Sequence, residues 1–516
     1  MGKQCPTAAV ALALLLVVFS RQAFADDLDQ PLPPVPPVAT DESNFFSRLY
    51  HAYADEWGPP KPADPNAPAS RRPSPFPPSP VDTPPYPFTE WPFGGATTIG
   101  ASLPNSIDAP LQKAVGTGNP LGKTLDDAHI QIYGWVNPGG NFSTASGYAG
   151  NAPAQYMFTP NIVQLDQAVL FIERVPDTVQ KDHIDWGFRV SGLYGENYRY
   201  ATALGLFSNQ LLYHNHFAGF DMPMVYGELY IPNVAEGLLF RLGRYPGVPD
   251  IESQIAPYNY MYSHSLSYVD AATNTGLIGT LKLTKNWMLQ LGVTAGSDTM
   301  PWNAKQISLV NPVTGGPGYS GKRDPGVQPS LTACAQYQTD SAYDAIYLCA
   351  NGINSGNWGY NNLQWYGGTY YHKFDDKWHI AVESYYMYQK GVLDVSQGYG
   401  STAFAYMVNP PLEAHCPIGQ VQCTAKEWSI LAYLNYKITP MDNFTWRAEF
   451  FNDENGQRTG TATRYTNVAF GLQHWFSPSV EIRPEIAWYH SLDNPAFDHG
   501  TQHFLTVVSS DLIWHF

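Results

Sequence analysis

The chain has 516 residues, of which 14% are aromatic and 14% charged, and its formal net charge is −16. The charged fraction is well below the roughly 25% of water-soluble globular domains. The acidic balance argues against a nucleic-acid partner, because a phosphate backbone requires a basic surface. The same acidity could favour cations in a pore, although charges on loops could account for all of it.

The first residues have the pattern of a secretory signal peptide. Lys3 precedes an apolar run from Ala8 to Phe19, and a small-residue cleavage pattern ends at Ala25. The apolar run is about a dozen residues long, which is too short for a membrane-spanning helix. We therefore predict a signal peptide over 1–25 and export from the cytoplasm.

Residues 26–125 differ in composition from the rest of the chain. Between Pro31 and Pro92 roughly one residue in three is proline, which indicates an extended periplasmic linker. Within it, aromatic and apolar residues at helical spacing predict a short amphipathic helix over 43–57. This helix could contact peptidoglycan, another chain, or the mouth or periplasmic rim of the domain that follows.

From His129 onward, apolar and polar residues alternate with a period of two, which predicts β-strands. Near the end of the chain, for example, Val480 and Ile482 share one face, and Glu481 and Arg483 share the other. Fourteen segments are predicted as strands: 129–136, 161–173, 185–196, 223–231, 238–246, 276–284, 287–296, 364–373, 378–389, 426–438, 443–452, 466–476, 480–490 and 503–516.

The connections between these segments are alternately long and short. Outer-membrane barrels have this asymmetry, with tight periplasmic turns, longer external loops and an even number of strands. We therefore predict an all-β fold, a transmembrane antiparallel β-barrel of about 14 strands (range 12–16) over 126–516, with both ends in the periplasm. The loops 247–275 and 297–363 are candidates for a segment that folds into the lumen.

The polar faces of the strands indicate which residues line the lumen. A lysine or arginine facing lipid at the middle of the bilayer would cost about 2–4 kcal/mol, so the charged side chains are expected to point inward. Charges of both signs on this inner face motivate the hypothesis of a transverse field that orients dipolar solutes. The predicted pore-lining residues are Arg189, Glu228, Lys282, Glu383, Arg447, Glu449, Glu481, Arg483 and Glu485.

Four cysteines follow the signal peptide: Cys334, Cys349, Cys416 and Cys423. In an oxidising compartment they allow three disulfide pairings. Their proximity in sequence favours Cys334–Cys349 and Cys416–Cys423, each closing a short loop. A metal site is not expected, because no CxxC pair is present.

The last strand ends on an aromatic residue, Phe516, and Trp514, Leu512, Ser510 and Val508 share its face. This strand resembles the terminal strand of bacterial outer-membrane proteins, whose final aromatic residue is read by the barrel-assembly machinery. The resemblance implies that Phe516 is an assembly signal.

A second resemblance covers about 126–516. The segments that carry it are HIQIYGW at His129–Trp135, LGRY at Leu242–Tyr245, DIE at Asp250–Glu252 and ATNTG at Ala272–Gly276. These segments resemble the OmpL-like β-barrel porin-2 family. The resemblance implies a pore fold, includes no catalytic motif and does not identify a substrate.

Taken together, these patterns predict an integral porin of the bacterial outer membrane that passes small hydrophilic solutes or ions by passive diffusion. No catalytic residue, metal or cofactor is expected. The expected partners are outer-membrane lipid, the barrel-assembly machinery and small solutes, with homo-oligomerisation and a peptidoglycan contact left open. One alternative is a non-conducting surface barrel whose disulfide-bound loops bind a partner. A second is a barrel enzyme that uses His372, His379, His474 and Glu383.

Overall fold

The structure is a computed structural model, and the part of the chain that it describes begins at residue 44. The predicted signal peptide and most of the Pro-rich lead lie outside the described residues. The described residues are 44–57, 99, 109–116, 119–212, 214, 216–247, 250–268, 271–304, 307–308, 323–324, 326–341, 343–357, 362–397, 413–439 and 441–516.

The described part of the lead contains short helices, one of which, Phe45–Trp57, lies where a helix was predicted over 43–57, whereas the rest of the stretch predicted to be extended lies outside the described residues. Pro110 and Pro120 each occupy the first turn of a short helix, where proline is favoured because its ring already has a helical φ and an N–H is not needed. In the described residues, none of the helices is long and apolar enough to cross a membrane. The helices are α1 Phe45–Trp57, α2 Pro110–Val115, α3 Pro120–Asp127 and α4 Asn209–Leu212.

Residues from 130 onward form a closed antiparallel barrel of 16 strands. β1 pairs with β2 on one side and with β20 on the other, which closes the sheet. β4 and β5 together count as one barrel strand because both pair with β3. The strands of the barrel are β1 Ile130–Ser143, β2 Val163–Arg174, β3 Asp185–Gly195, β4 Gly219–Asp221, β5 Val225–Ile231, β6 Leu238–Pro246, β7 Thr273–Lys282, β8 Trp287–Ser297, β11 Ser330–Gln338, β12 Asp344–Ile353, β13 Gln364–Lys373, β14 Trp378–Asp394, β16 Gln422–Thr439, β17 Asp442–Asp453, β18 Thr463–Ser477, β19 Val480–Ser491 and β20 Phe504–His515.

Short strands lie outside the barrel wall. β9 Ile307–Ser308 and β10 Arg323–Asp324 pair with each other, and β15 Glu413–Ala414 adds two residues beside the end of β14. Phe516 continues the closure of the barrel beyond β20. Its N–H donates to Gly134 O at 2.8 Å, and Gly134 N–H donates back to Phe516 O at 3.0 Å.

The predicted barrel fold is confirmed, and all fourteen predicted segments overlap strands. The prediction of 297–363 as a single loop is wrong, because β11 and β12 lie within it. The outward positions of β11 include Ala333 and Ala335, which are too weakly hydrophobic to give a clear alternation in the sequence. With these two strands included, long and short connections still alternate around the barrel.

The alternation seen in the sequence corresponds to two different environments in the wall. Outward positions carry exposed aromatic and aliphatic side chains such as Trp446, Trp488 and Trp514. Inward positions on the same strands carry buried polar groups such as Glu481 and Arg483. Each strand therefore presents an apolar face to lipid and a polar face to the lumen.

Both predicted disulfides are present. Cys334–Cys349 lies in the barrel wall and not on an external loop, because the two cysteines are direct partners in the ladder between β11 and β12. The disulfide Cys416–Cys423 does lie at the external end, between the segment after β15 and the start of β16.

Candidate functional site in the barrel lumen

The third external loop, between β6 and β7, folds into the barrel. Its described residues, 250–268, are named here the lumen loop. Ile251 and Leu266 near its two ends are 2% and 0% exposed. The Asn259 side chain gives the loop its internal shape, because it accepts from Ser253 N–H at 2.7 Å and donates to Ser253 O at 2.9 Å. Of the two loop candidates, 247–275 contributes its described residues 250–268 to the lumen, and residues 309–322 of the other candidate lie outside the described residues.

Carboxylates of the wall hold the lumen loop by its backbone. Bonds from N–H groups to ionised oxygens are stronger than neutral hydrogen bonds, and here they come from several strands at once. The bonds are Ile251 N–H to Glu383 (2.9 Å), Ser263 N–H to both oxygens of Glu485 (3.1 Å each), Leu266 N–H to Glu449 (3.0 Å) and Ser267 N–H to Glu449 (2.6 Å).

Arg447 of β17 holds the middle of the lumen loop. Its guanidinium donates to Ser263 O at 2.7 Å and to Ser263 Oγ at 2.9 Å. The same group lies 3.6 Å from the carboxylate of Glu252, which belongs to the loop. Its Nε donates to Asn467 on the neighbouring strand at 2.7 Å. Arg447 therefore joins two wall strands to two separate parts of the loop.

Arg483 of β19 holds the helical turn of the same loop. It donates to Ala256 O at 2.8 Å and to Asn259 O at 2.9 Å. Its charge is compensated within the wall by Asp511 of β20, which accepts from Nε at 3.0 Å. Acidic and basic side chains of the wall therefore both form hydrogen bonds with the loop backbone.

His264 brings the other external loops against the lumen loop. Burial lowers the pKa of His264 to about 3, so the ring is neutral, and its Nε2–H donates to Ser253 O at 2.9 Å. The ring stacks on Tyr156 of the first external loop with centroids 3.7 Å apart. Tyr156 stacks in turn on Tyr200 of the second external loop at 4.6 Å. Three loops therefore meet inside the barrel.

A β-bulge adds a further contact to the lumen loop. The register of β1 against β2 shifts at Asn137, so that Asp166 and Gln167 of β2 both point inward. Gln167 donates to Gln254 O at 2.5 Å and accepts from Ala256 N–H at 3.2 Å. Strict alternation would have placed one of the two side chains in lipid.

The opposite part of the wall has a different arrangement. Here arginines pair with acids of neighbouring strands, as in the cross-strand partners Arg241 and Glu228. The ion pairs are Arg189 Nε to Glu173 (2.6 Å), Arg241 to Glu228 (2.8 Å) and Arg244 to Asp221 (2.8 Å). These charges balance each other within the wall.

Eight of the nine residues predicted to line the pore are buried on the inner side of the wall. Lys282 is half-buried near the periplasmic end, where its ammonium donates to Ile99 O at 2.9 Å. Glu481 accepts from Gln473 at 2.6 Å and lies beside His515. Five of the nine contact the lumen loop, and two belong to the wall ion pairs. A role in conduction stays a prediction for all nine.

Sequence reasoning missed several lumen residues. Asp511 could have been found, because it alternates with the outward Leu512 and Ser510 in the last strand. Glu252 could not, because it lies on a loop whose path into the barrel has no local signal. The inward direction of Asp166 could not be predicted, because the bulge in β2 breaks the alternation at this position.

The residues proposed for a barrel enzyme are not brought together. His372 and His474 face outward and bond to Asp344 and Asp442, each at 2.7 Å. His379 points inward and lies 2.7 Å from the hydroxyl of Tyr260 on the lumen loop. Over the described ranges, no group of three or more His, Cys, Asp or Glu side chains is arranged to hold a metal ion.

The family model described as Putative beta-barrel porin-2, OmpL-like matches residues 129–516. None of the curated protein sequences matches the chain. Among solved structures, an anion-selective porin from Comamonas acidovorans is similar, with 9% identity and a TM-score of 0.46, covering 75% of this chain and 99% of that one. The outer-membrane channel DcaP of Acinetobacter baumannii has 12% identity and a TM-score of 0.43, with coverage of 75% and 97%. OmpT of Vibrio cholerae in its trimer form has 9% identity and a TM-score of 0.42, with coverage of 75% and 99%.

Proposed function

The chain belongs to the OmpL-like β-barrel porin-2 family of integral outer-membrane barrels, and we propose that it is a passive channel for small hydrophilic solutes or ions. The observation that carries the proposal is the lumen loop, which narrows the barrel from within and is fixed to the wall by Glu383, Arg447, Glu449, Arg483 and Glu485. A barrel of 16 strands is wide enough to leave an aqueous channel unless loops fill it. The loop therefore limits passage to small solutes.

The residues that fix the lumen loop to the wall also affect which solutes the channel passes. The hypothesis of a transverse field includes Arg447 and Arg483 among the inner charges that create it. Both guanidiniums donate to backbone carbonyls of the lumen loop, and each lies beside a carboxylate, Glu252 or Asp511. We propose that they act on selectivity mainly by fixing the width of the channel.

The proposal is tested by single-channel recording of the full chain, folded in detergent and added to a planar bilayer. Discrete conductance steps are expected. Folding is verified by heat-modifiable gel mobility, so that silence cannot be attributed to denatured protein. A folded but silent barrel would contradict the proposal and favour a surface barrel that binds a partner through its external loops.

Several finer assignments remain part of this proposal. We propose that the chain is not an enzyme, and that its parts are a signal peptide at 1–25, a periplasmic lead at 26–125 and the barrel from 126 onward. Reading of Phe516 by the barrel-assembly machinery, association with further copies and contact of the lead with peptidoglycan are predictions. Each has a direct test, for example the assembly yield of a Phe516→Ala variant.

A further inference from the structure

The charges buried inside the barrel and under its loops are strongly unbalanced. In the described part of the chain, sixteen aspartate and glutamate residues are buried, against seven arginines and no lysine. The outward faces of the strands are apolar, so this imbalance is concentrated on the inner side. An excess of buried negative charge is costly unless cations or protons compensate it.

The buried arginines compensate only some of the buried acids. Six of them each form an ion pair with one acid and compensate it, and the seventh, Arg458, lies beside Glu427 and Asp453, two acids that share its single positive charge. The pairs are Arg189–Glu173, Arg199–Glu196, Arg241–Glu228, Arg244–Asp221, Arg447–Glu252 and Arg483–Asp511.

Other carboxylates are held only in part by hydrogen bonds from neutral groups. Glu449 and Glu485 accept from loop N–H groups, which stabilise an ionised carboxylate without cancelling its charge. They remain 6% and 5% exposed, whereas Arg447 and Arg483 are 0% and 2% exposed. These two carboxylates are the least buried of the charged residues that anchor the loop.

Buried carboxylate oxygens without a hydrogen-bond partner include those of Glu427 and Asp166. Both oxygens of Glu427 are in this state, and Glu427 faces Asp453 across the ladder between β16 and β17. Oδ2 of Asp166, the bulge residue that faces the lumen loop, is a further case. Such atoms are where a mobile cation would supply the missing partner.

We infer that the interior selects small cations, and that Glu427 with Asp453, and Asp166, are positions at which a permeating cation rests. The inference rests on the proposed function, because selectivity requires conduction. An interior with an excess of one sign of charge concentrates its counter-ions. The cation is recognised by its charge and small size, as for potassium or sodium.

The test is the reversal potential of the folded full chain in a planar bilayer under a potassium chloride gradient, at low ionic strength to limit screening. We expect potassium to be preferred over chloride by roughly tenfold. Conductance steps with a reversal potential at zero or on the chloride side would overturn this inference and leave the channel proposal intact. A folded but silent barrel would overturn both.

A variant locates the effect. Glu427→Gln removes one negative charge without removing a hydrogen bond, and we expect it to lower the preference for potassium by roughly threefold. The matched control is Asp376→Asn, which removes the same charge from a periplasmic turn where the side chain is 93% exposed. Folding of both variants is verified by gel mobility. An equal reversal potential for Glu427→Gln and the unchanged chain would exclude Glu427 as a cation position.

Discussion

Two sectors of the barrel interior use the same kinds of charged residues in different ways. In the wall sector, formed by β2 to β7 apart from the bulge at Asp166 and Gln167, arginines and acids of neighbouring strands pair with each other, as Arg241 does with Glu228. In the anchor sector, formed by β14 to β20, acids and arginines form hydrogen bonds with the backbone of the lumen loop, as Arg447 and Glu449 do. The comparison indicates that inner charges of the wall sector support the barrel, whereas those of the anchor sector also set the channel.

The largest effect is expected from Arg447→Met in the anchor sector. The substitution leaves the buried carboxylate of Glu252 without its countercharge and removes two bonds to Ser263. Breaking a buried pair in this way costs about 3–5 kcal/mol of unfolding free energy. Because the loop is also released, we expect a higher single-channel conductance. Urea unfolding followed by tryptophan fluorescence, together with bilayer recording, measures both effects.

The matched variant in the wall sector is Arg241→Met. It leaves Glu228 without its countercharge, so the loss of stability is expected to be similar, about 3–5 kcal/mol. The single-channel conductance is expected to stay unchanged, because this pair lies within the wall. If both variants change conductance equally, the distinction between the two sectors is incorrect.

A smaller effect is expected from removing the wall disulfide with Cys334→Ala and Cys349→Ala. The bond joins residues 15 apart, and in the loop-entropy description such a crosslink contributes about 3 kcal/mol. The external pair, Cys416–Cys423, spans 7 residues and is expected to contribute about 2 kcal/mol. Unfolding midpoints of both double variants are compared. Neither should alter conductance, and a change for the wall pair would show that it shapes the channel.

The smallest effect is expected at the contact of α1 with the end of the barrel. The Tyr53 hydroxyl donates to His515 O at 2.9 Å, and its ring packs edge-on against Trp514. Tyr53→Phe removes only the hydrogen bond, so a loss of about 1 kcal/mol is expected. Tyr50→Phe is the control, since Tyr50 is 69% exposed. Equal thermal midpoints for the two variants would mean that the Tyr53 bond adds nothing to stability.

The strands of the barrel could be predicted from sequence because every wall residue faces either lipid or lumen, and that choice is visible in the alternation. β11 was not predicted, because Ala333 and Ala335 on its lipid face are too weakly hydrophobic to make the alternation visible. Inner charges such as Arg447 and Glu485 could be assigned to the lumen from the same alternation. Their partners could not, because Ser263 lies far away in sequence and meets them only through the path of the loop.

The central claim, that the lumen loop sets the width of the channel, is tested most directly by shortening it. Residues 251–268 are replaced by a short Gly-Ser linker, which is feasible because Pro246 and Thr273 are direct ladder partners. The single-channel conductance of this variant is compared with that of the unchanged chain in the same salt. A several-fold higher conductance in a barrel that remains heat-modifiable is the predicted result. An unchanged conductance would contradict the claim and place the constriction elsewhere in the barrel.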